Sequence, residues 1–182
     1  MKMRSIFTRN PAERLPLTVA FAKWYWRYGP RRGRKLLANA ICSRLPRDAE
    51  TTVLLQPGGV KAIIGLSDPM SMYPLAYGEM PEKCYAALIG KYLQPGNIFI
   101  DVGASFGYYT LTNADAVKHG GRIICFEPQP SIAKRLQRSV LLNGFEHVTV
   151  QQIAIGSAAG TIRLHCPINH MSGIATVCCE NP

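Results

Sequence analysis

The run Ile98-Phe99-Ile100-Asp101-Val102-Gly103-Ala104-Ser105-Phe106-Gly107-Tyr108-Tyr109-Thr110 constrains the fold more than any other stretch of this chain. An apolar run ends in an acid, and two glycines spaced four apart follow at once. This pattern predicts a buried parallel strand that breaks into a tight loop and restarts as a helix. Gly103 and Gly107 let the backbone pass close to a ligand, because neither carries a Cβ. Asp101 falls where the strand leaves the sheet, at the carboxyl edge where open α/β sheets bind ligands.

A second apolar run ends the same way. Arg122 to Phe126 predicts the next strand, and Glu127 follows it, 24 residues after Gly103. That is close to the spacing at which a βαβ unit places an acid on a ribose. A dinucleotide site would carry G-x-G-x-x-G facing a pyrophosphate. Here the loop is D-x-G-x-S-x-G, which leaves an NAD-type oxidoreductase poorly supported. An acid at the head of the loop suits a ligand bearing an amino group and a sulfonium, which is the chemistry of S-adenosylmethionine.

Asp101 to Thr110, then Phe126-Glu127-Pro128, then Leu142-Asn143-Gly144 resemble FkbM-type methyltransferases. The resemblance runs from about Tyr77 to Thr176 and includes Gly156 to Leu164. It implies a class I, Rossmann-like α/β fold, S-adenosylmethionine as cofactor, and O-methylation of a sugar or secondary-metabolite hydroxyl. The acceptor is then a glycan or small molecule, and no nucleic acid is expected. The cofactor-binding residues implied are Asp101, Gly103, Ala104, Ser105, Gly107, Glu127, Pro128 and Ala154. Ala154 is expected at the end of a third strand, near the adenine. Gln129 and Pro130 are expected to shape the loop over the adenine. The family usually has Asn where this chain has Ser105, which puts one amide contact to the cofactor in doubt. No catalytic base is identified.

The rest of the chain divides into three expected segments: a basic helical extension over 1–50, a hairpin with a lead-in helix over 51–96, and a partial methyltransferase domain over 97–182. The net charge of +10 is uneven, since residues 1–50 hold 12 Lys/Arg against 3 Asp/Glu and the remainder 9 against 8. Leu15 to Tyr28 is aromatic-rich but too short and too charged to span a bilayer, and it makes a poor signal peptide. A second helix is expected from Arg31 to Leu45. Basic helices with aromatic neighbours suit an anionic membrane surface. The competing expectation, which is favoured, is a helical pair whose apolar face covers the catalytic domain.

Further elements follow from turn residues and periodicity. Thr51–Gln56 and Val60–Leu66 flank Pro57-Gly58-Gly59 as a hairpin. Met80–Leu93 is expected as a helix carrying Cys84, Leu88 and Tyr92 on one face. Helices are also expected over Tyr108–His119 and Ser131–Leu142, the latter capped by Ser131, with Ile132, Leu136 and Val140 inward and Lys134, Arg135 and Arg138 in solvent. Val148–Ile155 is the third core strand, Ser157–Gly160 a turn, and Thr161–Cys166 an accessory strand.

The core strands should lie in the order third, second, first. That leaves the first strand as an edge, open to self-association. A whole class I sheet has more strands than these, so the chain reads as its front half. The alternative function is therefore a catalytically inactive remnant that binds a nucleoside or a partner.

The six cysteines contain no C-x-x-C pair, so zinc is not expected. Cys42, Cys84, Cys125 and Cys166 are assigned to apolar faces, and Cys178-Cys179 has no partner spacing. Reduced thiols in a cytoplasmic protein are the default. His119, His147, His165 and His170 show no metal spacing, and Asp115 is assigned to solvent.

Overall fold

A computed structural model describes residues 15–165 and the backbone of 176–178. Cys166, His170 and Cys179, and the side chains of His165 and Cys178, lie outside the described residues. The N-terminal layer is helix α1 (Leu17–Tyr28), helix α2 (Arg34–Cys42), and the antiparallel hairpin β1 (Glu50–Leu55) and β2 (Val60–Gly65). A 3-10 turn (Pro69–Ser71), α3 (Met72–Tyr77) and α4 (Lys83–Tyr92) lead to the first core strand.

The core is a parallel sheet of β3 (Ile98–Val102), β4 (Arg122–Phe126) and β5 (Val148–Gln151), in the order β3-β4-β5. This is the expected order, with β3 bonded on one side only among the described residues. The register sets Ile100 beside Ile124 and Thr149, and Val102 beside Phe126 and Gln151. The connections are α5 (Tyr108–Thr112) with a 3-10 turn (Ala114–Val117), then α6 (Pro130–Leu142). A short antiparallel pair, β6 (Arg163–His165) and β7 (Thr176–Cys178), closes the set. The sheet and its helices form a Rossmann-like α/β unit of three parallel strands among the described residues.

The two α1/α2 helices cover the hairpin side of the fold. Val19, Ala22 and Trp26 are buried on α1, and Ala38 and Cys42 on α2. Trp26 meets Tyr73 edge-on at 5.2 Å, and the Tyr77 hydroxyl donates to the Trp26 carbonyl at 2.8 Å. The hairpin lies on α6. Asn143 accepts from the Lys61 N–H at 3.0 Å and donates to the Lys61 carbonyl at 2.7 Å, and the Ser139 hydroxyl accepts from the Ile63 N–H at 2.8 Å.

That contact explains one difference from expectation. Ile132, Leu136 and Val140 are buried as expected, but Arg135 is half-buried beneath Gly65 instead of solvated. Burial pulls the Arg135 pKa below the usual arginine value. Lys134 and Arg138 are exposed, and Arg138 pairs with Glu50 at 2.6 Å.

Several boundaries also move. The helix expected to His119 ends at Thr112, because Asn113 turns its side chain back to the Tyr109 carbonyl at 3.0 Å. His119 has a left-handed φ of 70°, which no helix accommodates. α6 starts at Pro130 rather than being capped by Ser131, since proline is favoured at the first helical position. β5 stops at Gln151, opposite the last residue of β4, so Ala154 lies in the loop beyond the strand. On α4 the apolar stripe faces outward, so Cys84 does not pack as expected. Cys84, Leu88 and Tyr92 are exposed, and the helix buries Ala86 instead.

Candidate cofactor site

The loop after β3 is fastened to the end of β4. The Gly103 and Ala104 N–H groups both donate to the Phe126 carbonyl, at 2.9 and 3.0 Å. Glu127, only 4% exposed, sits at the centre: one carboxylate oxygen accepts from the Ser105 N–H at 2.9 Å and the other from the Gln129 N–H at 2.9 Å. A buried carboxylate of this kind is stable only because charged hydrogen bonds hold it. Each oxygen keeps a further lone pair for a hydroxyl donor.

Gly103 takes φ +78°, and a Cβ there would meet nothing within 4 Å, so the loop backbone is bare towards open space. Gly107 serves packing instead. At φ +88° a Cβ would lie 2.3 Å from Leu136 Cδ1, so only glycine lets the loop settle on α6. Ser105 is left-handed, with φ 52°. Its contact to Glu127 is made by the backbone N–H, which any residue other than proline retains.

Asp101 points to the covered face of the sheet and is 8% exposed. The Thr110 hydroxyl donates to its carboxylate at 2.6 Å. Burial pushes the Asp101 carboxyl above the usual aspartate range, and the Thr110 hydrogen bonds pull it partly back. Cys125 is its register partner on β4, and burial pushes that thiol up to about 11. The Asp101–Thr110 bond thus bridges the two ends of the glycine loop. Thr110 was legible only as part of the motif; its role as a clasp needed the fold.

Pro128 and Ala154 stand apart from this knot. Both line a neighbouring cleft of about 530 Å³, walled largely by Ile153, Ile155, Ile162 and Leu164. The structure therefore brings Asp101, Gly103, Ala104, Ser105, Gly107 and Glu127 into one loop, and sets Pro128 and Ala154 in the adjoining cleft. Of the histidines, His147 bonds the Ala114 carbonyl at 2.8 Å and His119 is exposed. Asp115 is exposed, as expected. No group of three or more potential metal ligands converges among the described residues.

Comparison with known proteins places the chain among partial likenesses. No protein-family model matches it. A protein-L-isoaspartate O-methyltransferase from Aeropyrum pernix is 26% identical over 103 residues, covering 54% of this chain and 39% of that protein. The chain thus spans well under half the length of that curated relative. Among solved structures, an S-adenosylmethionine-dependent methyltransferase from Aquifex aeolicus aligns with 25% identity and a TM-score of 0.35, covering 40% of this chain and 37% of that one. An S-adenosylmethionine-dependent O-methyltransferase from Thermotoga maritima aligns with 14% identity and a TM-score of 0.38, covering 62% and 58%. The FkbM likeness rests on the sequence motifs alone.

Proposed function

We propose that this chain is the cofactor-binding part of an S-adenosylmethionine-dependent methyltransferase acting on a sugar or secondary-metabolite hydroxyl. The observation that carries the reading is the knot between loop and acid: Ser105 N–H to Glu127, with Gly103 bare beside it. Such an acid, at the end of the second parallel strand and beside a glycine loop, suits a ribose. Support also comes from the relative in Aeropyrum pernix, which is an O-methyltransferase.

In this reading the free lone pairs of Glu127 accept the ribose hydroxyls. Gly103 and Ala104 line the methionine part, and the apolar cleft beside Pro128 and Ala154 takes the adenine. Asp101 acts on the amino group from beneath the loop, through water, while Thr110 keeps the loop closed. When bound, the cofactor supplies an electrophilic sulfonium methyl. A hydroxyl acceptor would give up one proton on methylation. These residues contribute alignment; the acceptor of that proton is not among those named.

Calorimetry of the full chain tests this. S-adenosylmethionine should bind and NAD should not. Glu127→Ala should weaken binding roughly tenfold to over a hundredfold, the cost of about 1.5–3 kcal/mol for a charged hydrogen bond. An unchanged dissociation constant would remove Glu127 from the site. A second reading, nucleoside binding without turnover, is favoured by the exposed Ile98, Ile100 and Val102 beside the site. Binding without consumption of radiolabelled methyl groups, across hydroxyl acceptors, would select it.

A further inference from the structure

Helix α1 has two apolar faces, and the fold uses one of them. Val19, Ala22 and Trp26 are buried against the body of the protein. On the opposite side Leu17, Phe21, Trp24 and Tyr28 recur at intervals of four, three and four, and they are 88%, 53%, 55% and 68% exposed. The outward face of a surface helix is ordinarily polar. Here it is an aromatic ridge, with Phe21 stacked on Trp24 at 6.1 Å.

A second observation lies on the flank of the same helix. Lys23 and Arg27, one turn apart, border an open cleft of about 380 Å³ that also takes in Thr51 and Thr52 and has no carboxylate among the described residues of its wall. Arg27 stays anchored there, donating to the Ala76 carbonyl at 3.2 Å with its guanidinium 5.6 Å from the Tyr28 ring centre. Beyond the helix Arg31, Arg32 and Lys35 are exposed, as is Leu36 at 75%. From residue 15 to residue 47 the sequence holds eight Lys/Arg and no Asp or Glu.

We infer that this face docks the protein on an anionic lipid bilayer. The ridge enters the headgroup boundary, and Lys23 and Arg27 hold a lipid phosphate in the cleft. The helix, roughly 18 Å long at 1.5 Å per residue, lies in the plane of the surface. Trp and Tyr rings suit that boundary, apolar in body and polar at the tip. A single-stranded nucleic acid would instead want cations interleaved with open stacking rings, whereas here Phe21 and Trp24 stack on each other and Tyr28 is the ridge ring with a cation beside it among the described residues. The inference is independent of the cofactor reading.

Co-sedimentation of the full chain with phosphatidylcholine vesicles, with and without phosphatidylglycerol, provides the test. Binding is expected to the anionic vesicles only, and to fall as salt rises. The Phe21→Ser/Trp24→Ser protein should no longer sediment. Lys23→Gln and Arg27→Gln should each weaken binding about fivefold. Trp24 emission should shift to the blue on anionic vesicles. The Trp24→Phe protein, left with buried Trp26, should show no shift. Retained vesicle binding by the Phe21→Ser/Trp24→Ser protein with an unaltered circular dichroism spectrum would overturn the inference. So would equal binding to pure phosphatidylcholine, or binding to single-stranded RNA without binding to vesicles.

Discussion

The two faces of the parallel sheet share an apolar vocabulary but differ in their surroundings. On one face Asp101, Ile123, Cys125 and Val148 are at most 8% exposed, with α6 packed on β5 and Thr110 of α5 bonded to Asp101. On the other, Ile98, Ile100 and Val102 are 55–61% exposed, and Ile124 and Phe126 are half-buried. Parallel strands are apolar on both sides because both sides are normally covered. Composition therefore reports what a strand is suited to meet, and the fold reports what it meets. Asp101 and Cys125 sit on the covered face, where burial raises the pKa of both side chains.

The largest expected contrast is in stability. Leu136 is fully buried between the sheet and Gly107. Leu136→Ala should cost about 2–5 kcal/mol, read from urea unfolding. A cost below about 1 kcal/mol would mean that the covered face is no better packed than the open one.

A smaller effect should appear with pH. Burial raises the Cys125 and Cys42 thiols from 9.0 to about 11, so both hold their protons in the folded state while the unfolded chain loses them. Their contribution to stability is full below pH 9.0 and is lost progressively as pH rises towards about 11. Thermal melts should show that slope, shallower in Cys125→Ala. An equal slope in the variant would place Cys125 in a wetter setting than the covered face implies.

The smallest change should come from the open face. Ile100→Thr is expected to alter stability by no more than about 0.5 kcal/mol and to improve solubility, because it breaks an exposed apolar patch. A loss comparable to that of Leu136→Ala would show that something covers Ile100.

The parts of the fold written most openly in the sequence are those that depend on backbone chemistry. Gly103, Gly107 and the acids at Asp101 and Glu127 mark where β3 and β4 give way to their loops. The misplaced features depended on tertiary partners. Arg135 is half-buried because the hairpin lies above it, and β5 ends where β4 ends. The stripe on α4 faces outward because Ala86 makes its contact. At the site, the identities were legible, but the wiring was not: that both Glu127 oxygens are held by main-chain N–H groups could not be read from spacing.

The paired contacts of Asn143 with Lys61 have one further consequence. A primary amide presents one donor and one acceptor side by side, as a peptide group does, and here both meet the main chain of β2. Together with Ser139 on the Ile63 N–H, the tail of α6 stands in for a third strand along that rim of the hairpin. Opening the hairpin therefore strips bonds from the helix that also backs the glycine loop. The amides of β2 and α6 should exchange with solvent in concert, as one cooperative unit whose halves are far apart in the chain.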